Sequence, residues 1–158
     1  MNTGYKSYSI DEALIRLQGY CSYQDRCHQE VRQKLKEMRM IPEAIDTIMA
    51  SLIKDDYLNE SRFANSYVRG KFKIKKWGRH RLISELKKKG LSKYTIKQAM
   101  DEINNDEYID VFHDLAEKRV KSLTDSNLLK KKKKLADYLI YRGWESHLVY
   151  DKVNELIP

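Results

Sequence analysis

Val31–Leu52 (VRQKLKEMRMIPEAIDTIMASL) decides the fold, because it returns twice: as Leu82–Ile103 (LISELKKKGLSKYTIKQAMDEI) and as Leu135–Leu156 (LADYLIYRGWESHLVYDKVNEL). Without gaps, six columns are apolar in every copy: Val31/Leu82/Leu135, Leu35/Leu86/Leu139, Met40/Leu91/Trp144, Ile45/Ile96/Val149, Met49/Met100/Val153 and Leu52/Ile103/Leu156. The seventh, Arg39/Gly90/Gly143, stands where a helix must end, and glycine accepts the left-handed backbone that such an ending uses. This is an internal repeat of about 50 residues, long enough for three short helices per copy.

Outward from that block, each copy has its own leading helix. Ser9-Ile10-Asp11-Glu12 has capping-box spacing, and Ile10, Ala13, Leu14 and Leu17 follow at helical intervals, with Gly19 expected as the stop. A second helix is expected from about Asp25 to Met38 with Val31, Leu35 and Met38 inward. Pro42 suits the first turn of a third, whose apolar face is Ile45, Ile48, Met49 and Leu52. In the next copy Asn59 reads as an N-cap, with Leu58 and Phe63 placed as a hydrophobic staple ahead of Tyr67 and Val68. In the last, Ile109, Phe112, Ala116 and Val120 recur on one face after Asp106. The expected fold is all-α: three tandem three-helix modules forming an elongated, curved rod, since repeats contact mainly their neighbours. The divisions are 1–57 with a short N-terminal tail, 58–105 and 106–158.

Composition agrees. The 158 residues include only 6 Gly and 2 Pro, too few turn formers for a sandwich or barrel, while 11 Tyr, 3 Phe and 2 Trp supply a core. Apolar runs fall far short of the ~20 residues that span a bilayer, and MNTGYKSYSIDEA lacks the basic-then-apolar order of a secretory signal. These features predict a cytoplasmic protein away from membranes. Cys21 and Cys27 are too few for a disulfide framework. With His28 they make C-x5-C-H, which is not zinc-module spacing, so no metal is expected. Asp55, Asp56 and Glu60 lie before a helix N-terminus, where the dipole favours negative charge. No Walker loop, GxSxG or HExxH motif occurs, and neither catalytic residues nor a cofactor is expected.

The charge is concentrated. Residues 71–100 hold 11 basic side chains against one acid, Glu85, whereas residues 1–70 hold 10 of each sign. Such a segment implies a polyanionic or acidic partner. Its candidate binding residues are Lys71, Lys73, Lys75, Lys76, Arg79, Arg81, Lys87 and Lys88. Phe72 and Trp77 between them read as core rather than stacking platforms. The run Lys130–Lys134 points all round a helix, so one or two stems must lie along apolar surface; it suits phosphate contact and simple solvation equally.

One block carries a family resemblance. Asp55-Asp56-Tyr57-Leu58-Asn59-Glu60-Ser61-Arg62-Phe63-Ala64, then Gly78, then Leu82…Glu85-Leu86-Lys87-Lys88-Lys89-Gly90-Leu91 resembles the RecX family of recombination regulators. Tyr141-Arg142-Gly143-Trp144 is similar to that family's arginine-glycine-aromatic ending. Asn59 stands where the family pattern has an acid, and Tyr20–His28 replaces a shorter basic entry. The resemblance implies modules related to helix-turn-helix folds. It also implies a non-enzymatic regulator that lodges in the helical groove of the RecA nucleoprotein filament, where it inhibits filament extension, ATPase, strand exchange and co-protease activity. It brings no set of contact residues. The alternative from charge alone is a stand-alone DNA-binding repeat acting through its basic middle module, and either reading allows direct contact with DNA phosphates. Nothing resembles a heptad seam, and the chain is read as a monomer.

Overall fold

The structure is a computed structural model and describes residues 6–158; the expected N-terminal tail falls largely outside the described residues. Among the described residues there are nine α-helices and no strand: α1 Ile10–Tyr23, α2 His28–Glu37, α3 Pro42–Lys54, α4 Glu60–Lys75, α5 Arg79–Lys88, α6 Lys93–Met100, α7 Asn105–Ser122, α8 Leu128–Tyr141 and α9 Ser146–Leu156. They pack in consecutive threes: α3 on α1 and α2, α6 on α4 and α5, and α7, α8 and α9 on one another. The solvent-accessible area is 10068 Å². A compact monomer of 18.8 kDa would expose roughly 8,300 Å². The excess suits modules in series rather than a ball. No described helix is long and apolar enough to cross a membrane.

The repeat is visible in the backbone. Arg39, Gly90 and Gly143 have φ of 63°, 82° and 97°, and each closes its helix the same way. Met40, Leu91 and Trp144 donate their N–H groups back to Leu35, Leu86 and Leu139 at 3.1, 3.3 and 3.2 Å. That six-to-one bond is the Schellman ending, and it seats an apolar residue just past the helix in the core. Val31, Leu82 and Leu135 are fully buried, as are Leu35, Leu86 and Leu139.

Several local expectations are corrected. Gly19 does not stop α1, which runs on to Tyr23; Ala13, Leu17 and Cys21 form a buried stripe one turn apart, and burying Cys21 outweighs the ~1 kcal/mol that an interior glycine costs. Helix α2 starts at His28 rather than Asp25, because the Asp25 carboxylate reaches out to Arg62 and Ser66. Asn59 is the N-cap of α4 and accepts from Arg62 N–H at 2.9 Å. Leu58 and Phe63 do not form a staple, however: Leu58 belongs to the first core and Phe63 to the second. On α7 the fully buried stripe is Tyr108, Phe112 and Ala116, with Ile109 and Val120 at its margins. The Ser9/Glu12 capping box is present with both bonds at 3.1 Å.

Two separate cores result. One holds the first triplet plus Leu58; the other runs without interruption through the second and third triplets and also takes in Cys27.

Candidate functional site

The basic segment is built around a turn. Helix α4 ends at Lys75, and Lys76 takes φ 58°, which lets Trp77 N–H reach back to Lys71 O at 3.3 Å. Gly78 then caps α5 with no side chain to offer. The third module satisfies the exposed amides instead. Gly78 N–H donates to Arg142 O at 2.8 Å, His80 N–H to Gly143 O at 3.0 Å, and Arg79 N–H to the Tyr108 hydroxyl at 2.9 Å. A helix start normally left open to water or a ligand is therefore closed by its neighbour. The two glycines make this approach feasible: a Cβ on Gly78 would stand 2.5 Å from Gly143 O, and one on Gly143 would land on Arg81. Arg142 donates to Lys75 O at 2.7 Å and the Trp144 indole to Lys76 O at 3.1 Å. Tyr108 also donates to Glu145 in a very short bond, and burial, reinforced by that carboxylate, raises its phenol well above the usual range.

This joint divides the eight candidate binding residues. Arg79 lies 3.8 Å over the Tyr108 ring and bonds Glu145 and Asn105 at 3.4 and 3.2 Å. Arg81 is held between Trp77 and Tyr141, 4.3 and 4.7 Å from their ring centres, and donates to Tyr141 O at 3.3 Å. Lys75 and Lys76 contribute only their carbonyls, to Arg142 and Trp144. The two arginine side chains are parts of the joint. Lys71 and Lys75 line a shallow groove of about 210 Å³ on α4 with Ser66, Tyr67, Gly70 and Ile74. Lys87 and Lys88 line a hollow of about 490 Å³ on α5 with His80, Ile83 and Ser84. Lys73 is exposed on α4 and lines neither. One run of charge in the sequence thus becomes a structural knot and two separate surfaces. Phe72 is core, stacked on Tyr108 with ring centres 5.8 Å apart, and Trp77 is half-buried.

The lysine run on α8 is largely answered within its own module. Lys132 reaches Asn154 at 3.4 Å, Lys133 reaches Asp137 at 2.6 Å, and Lys134 reaches Asp125 at 2.9 Å, a bond that holds the Asp125 carboxyl below its ordinary range. Lys131 and Lys132 are half-buried, as consecutive positions on a helix require.

Between the first and second modules polar contacts surround one buried residue, Cys27. Arg62 bonds Asp25 at 2.8 Å, Ser66 takes the other Asp25 oxygen at 3.1 Å, and His28 Nδ1 lies 2.7 Å from Glu60. A cavity of about 770 Å³ opens there, where Glu30, Glu37 and Glu60 face Arg32, Lys34, Lys36 and Lys89, a lining of both signs. Cys27 is fully buried with Sγ 3.3 Å from Glu30, and burial pushes its thiol up to about 11. It lies in the second core and Cys21 in the first. No group of three or more His, Cys, Asp or Glu among the described residues is placed to hold a metal ion.

Comparison with known proteins agrees with this architecture. Residues 59–100 match the second three-helix domain of RecX, and residues 106–153 match its third. The regulatory protein RecX of Bacillus cytotoxicus is 28% identical over 147 residues, covering 93% of this chain and 54% of that protein. That of Clostridium acetobutylicum is 28% identical over 135 residues, covering 83% and 62%. The chain thus spans a little over half the length of these curated relatives. The crystal structure of RecX from Lactobacillus salivarius superposes with a TM-score of 0.79 at 25% identity, covering 93% of this chain and 96% of that one. A further RecX crystal structure gives 0.77 at 23% identity, covering 92% and 71%, which speaks to the fold alone.

Proposed function

Since this chain belongs to the RecX family of regulatory proteins, with more than half its length matching that family's second and third domains, we propose that it is a non-catalytic modulator of the RecA recombinase. It binds the nucleoprotein filament along the helical groove and opposes filament extension, thereby lowering ATPase, strand exchange and co-protease activity. Its place of action is the cytoplasm, and it acts as a monomer. The observation that carries the reading is family membership joined to a basic second module. Lys73, Lys75 and Lys87 of that module are exposed, and none has a carboxylate within ion-pairing distance. A ligand shifts an equilibrium only through unequal affinity for its states, so a chain bridging adjacent protomers need only prefer one filament geometry.

The test is single-stranded-DNA-dependent ATP hydrolysis by RecA with this chain at substoichiometric amounts, across a salt series. Suppression that persists at moderate salt is the expected result. Charge reversal of Lys73 with Lys75, or of Lys87 with Lys88, weakens it while helicity stays intact; Arg79 and Arg81 are poor choices because they hold the joint.

The same unpaired lysines support a second reading, direct binding to DNA phosphates. A protein neutralising ~6 phosphates loses roughly three powers of ten in affinity between 50 and 200 mM salt. An effect seen only when the protein is abundant enough to coat the DNA, and lost along that slope, would favour it.

A further inference from the structure

Gly70 has no evident purpose inside the molecule. It lies within α4, where glycine weakens a helix, and a Cβ there would meet nothing within 4 Å. Gly78, Gly90 and Gly143 are each accounted for by close approach or by positive φ. Gly19, within α1, shares the anomaly: it too faces open space. The two glycines are equivalent in the repeat. The buried stripe Ala13, Leu17 and Cys21 of α1 corresponds to Ala64, Val68 and Phe72 of α4, and the same register sets Gly19 on Gly70 and Tyr23 on Ile74. Tyr23 and Ile74 are 84% and 77% exposed, large apolar side chains left in water one turn beyond each glycine. Two successive modules therefore keep the same outer helix face bare and notched.

We propose that this face of α4 is a docking surface for a protein segment carrying an apolar side chain flanked by carboxylates. The apolar side chain enters the notch over Gly70 against Ile74 and Tyr67, and the carboxylates reach Lys71 and Lys75. Charge complementarity selects this partner, because both charged residues lining the groove are lysines. A nucleobase fits less well. The Tyr67 ring is engaged by Phe63 and Trp77, with centres 5.6 and 6.3 Å away, and an isoleucine offers no stacking face. The α1 copy carries Tyr20 and Gln24 where α4 has Lys71 and Lys75, so the charge that selects this partner belongs to the second module. The proposal rests on the filament reading above and names which face makes the contact.

Gly70→Ala and Gly70→Leu in the full chain provide the test. Both add carbon to open space on a helix, so both melt at a higher temperature than the parent. Gly70→Leu fills the notch and raises by about tenfold or more the concentration needed to suppress ATP hydrolysis by RecA on single-stranded DNA. Ile74→Ser does the same by removing the apolar contact without changing the charge. Binding of a fluorescent single-stranded oligonucleotide, measured by anisotropy, stays unchanged in all three. A thermally stable Gly70→Leu protein that suppresses as well as the parent would overturn the docking surface and leave the filament reading standing. Parallel loss of oligonucleotide binding would overturn it in favour of a nucleic-acid site. A parent chain without effect on the filament would overturn both.

Discussion

Asp25 and Arg62 are 37 residues apart in sequence and 2.8 Å apart in space, and the pair ties the first module to the second. The bond to Asp25 raises the Arg62 guanidinium above its ordinary range. Arg62 also donates to the Asp56 and Tyr57 carbonyls at 3.0 and 3.3 Å, and Ser66 and the His28–Glu60 contact add side-chain links beside it. The next joint differs in kind: backbone amides meet backbone carbonyls, and aromatic rings continue through it. Arg62→Ala should therefore cost about 1–2 kcal/mol, discounted for the partial exposure of both partners. Hydrogen exchange should quicken around Cys27–Val31 and leave Gly78 and His80 protected. Uniform quickening across both joints would contradict this difference.

The glycines should separate by mechanism. Gly90 has φ 82° and free space, so Gly90→Ala costs only the left-handed strain of about 1–2 kcal/mol. Gly143 has φ 97° and Arg81 at its back, so Gly143→Ala adds overpacking for about 3 kcal/mol or more. Urea unfolding of the two variants reads the gap, and equal costs would refute the packing of Gly143 on Arg81.

Tyr108→Phe keeps the ring stack with Phe72 and Trp144 but removes an acceptor from Arg79 N–H and a donor from Glu145. A loss of about 2 kcal/mol is expected, from leaving both groups unmatched. The raised phenol gives a second readout. Its contribution is present below the ordinary tyrosine range near pH 10 and is lost as pH rises beyond it, as the unfolded chain ionises first. Stability of the parent should fall faster above about pH 10 than that of Tyr108→Phe.

Acid should act through carboxylates held low. Glu12 is lowered by the Ser9 amide, Asp125 by Lys134 and Glu155 by Lys152. A depressed folded value means that stability is present above the ordinary carboxylate range and is lost as pH falls through the folded value. The melting temperature should hold to about pH 5 and decline below about pH 4. Glu12 and Glu155 are exposed and Asp125 is half-buried, so the decline is gradual. A rise on acidification would show that these contacts contribute nothing.

Much of this fold could be read from residues alone, because what repeats is apolar spacing and a stop position. Arg39, Gly90 and Gly143 mark three helix ends that the backbone makes in one way. Most of the exceptions arise at contacts between modules, and one arises within the first core. Gly19 reads as a stop until Cys21 is seen to be buried beyond it. Asp25 reads as helical until it meets Arg62, and Leu58 reads as a staple until it turns back into the first core. Tyr108 left no trace in the apolar pattern, since its hydroxyl serves a helix 29 residues away. The candidate binding residues were legible as charge, not as geometry, and only packing separates Arg79 and Arg81 from Lys75 and Lys88. Gly70 could have drawn notice as an interior glycine matching Gly19 across the repeat.

The division into two cores bears on the order in which the protein is made. The first core has all its members once Leu58 has been synthesised, and none of them lies in the second. The second draws on residues from Cys27 to Ile157 and is complete only when that last one emerges. At translation rates of about 5–20 residues per second, roughly 5–20 s separate the two events. Through that interval the ribosome carries a finished three-helix domain ahead of an unclosed one, with Phe63, Phe72 and Leu82 waiting for Trp144. A chaperone that shields nascent apolar surface would find its work in the middle of this chain, not at its start.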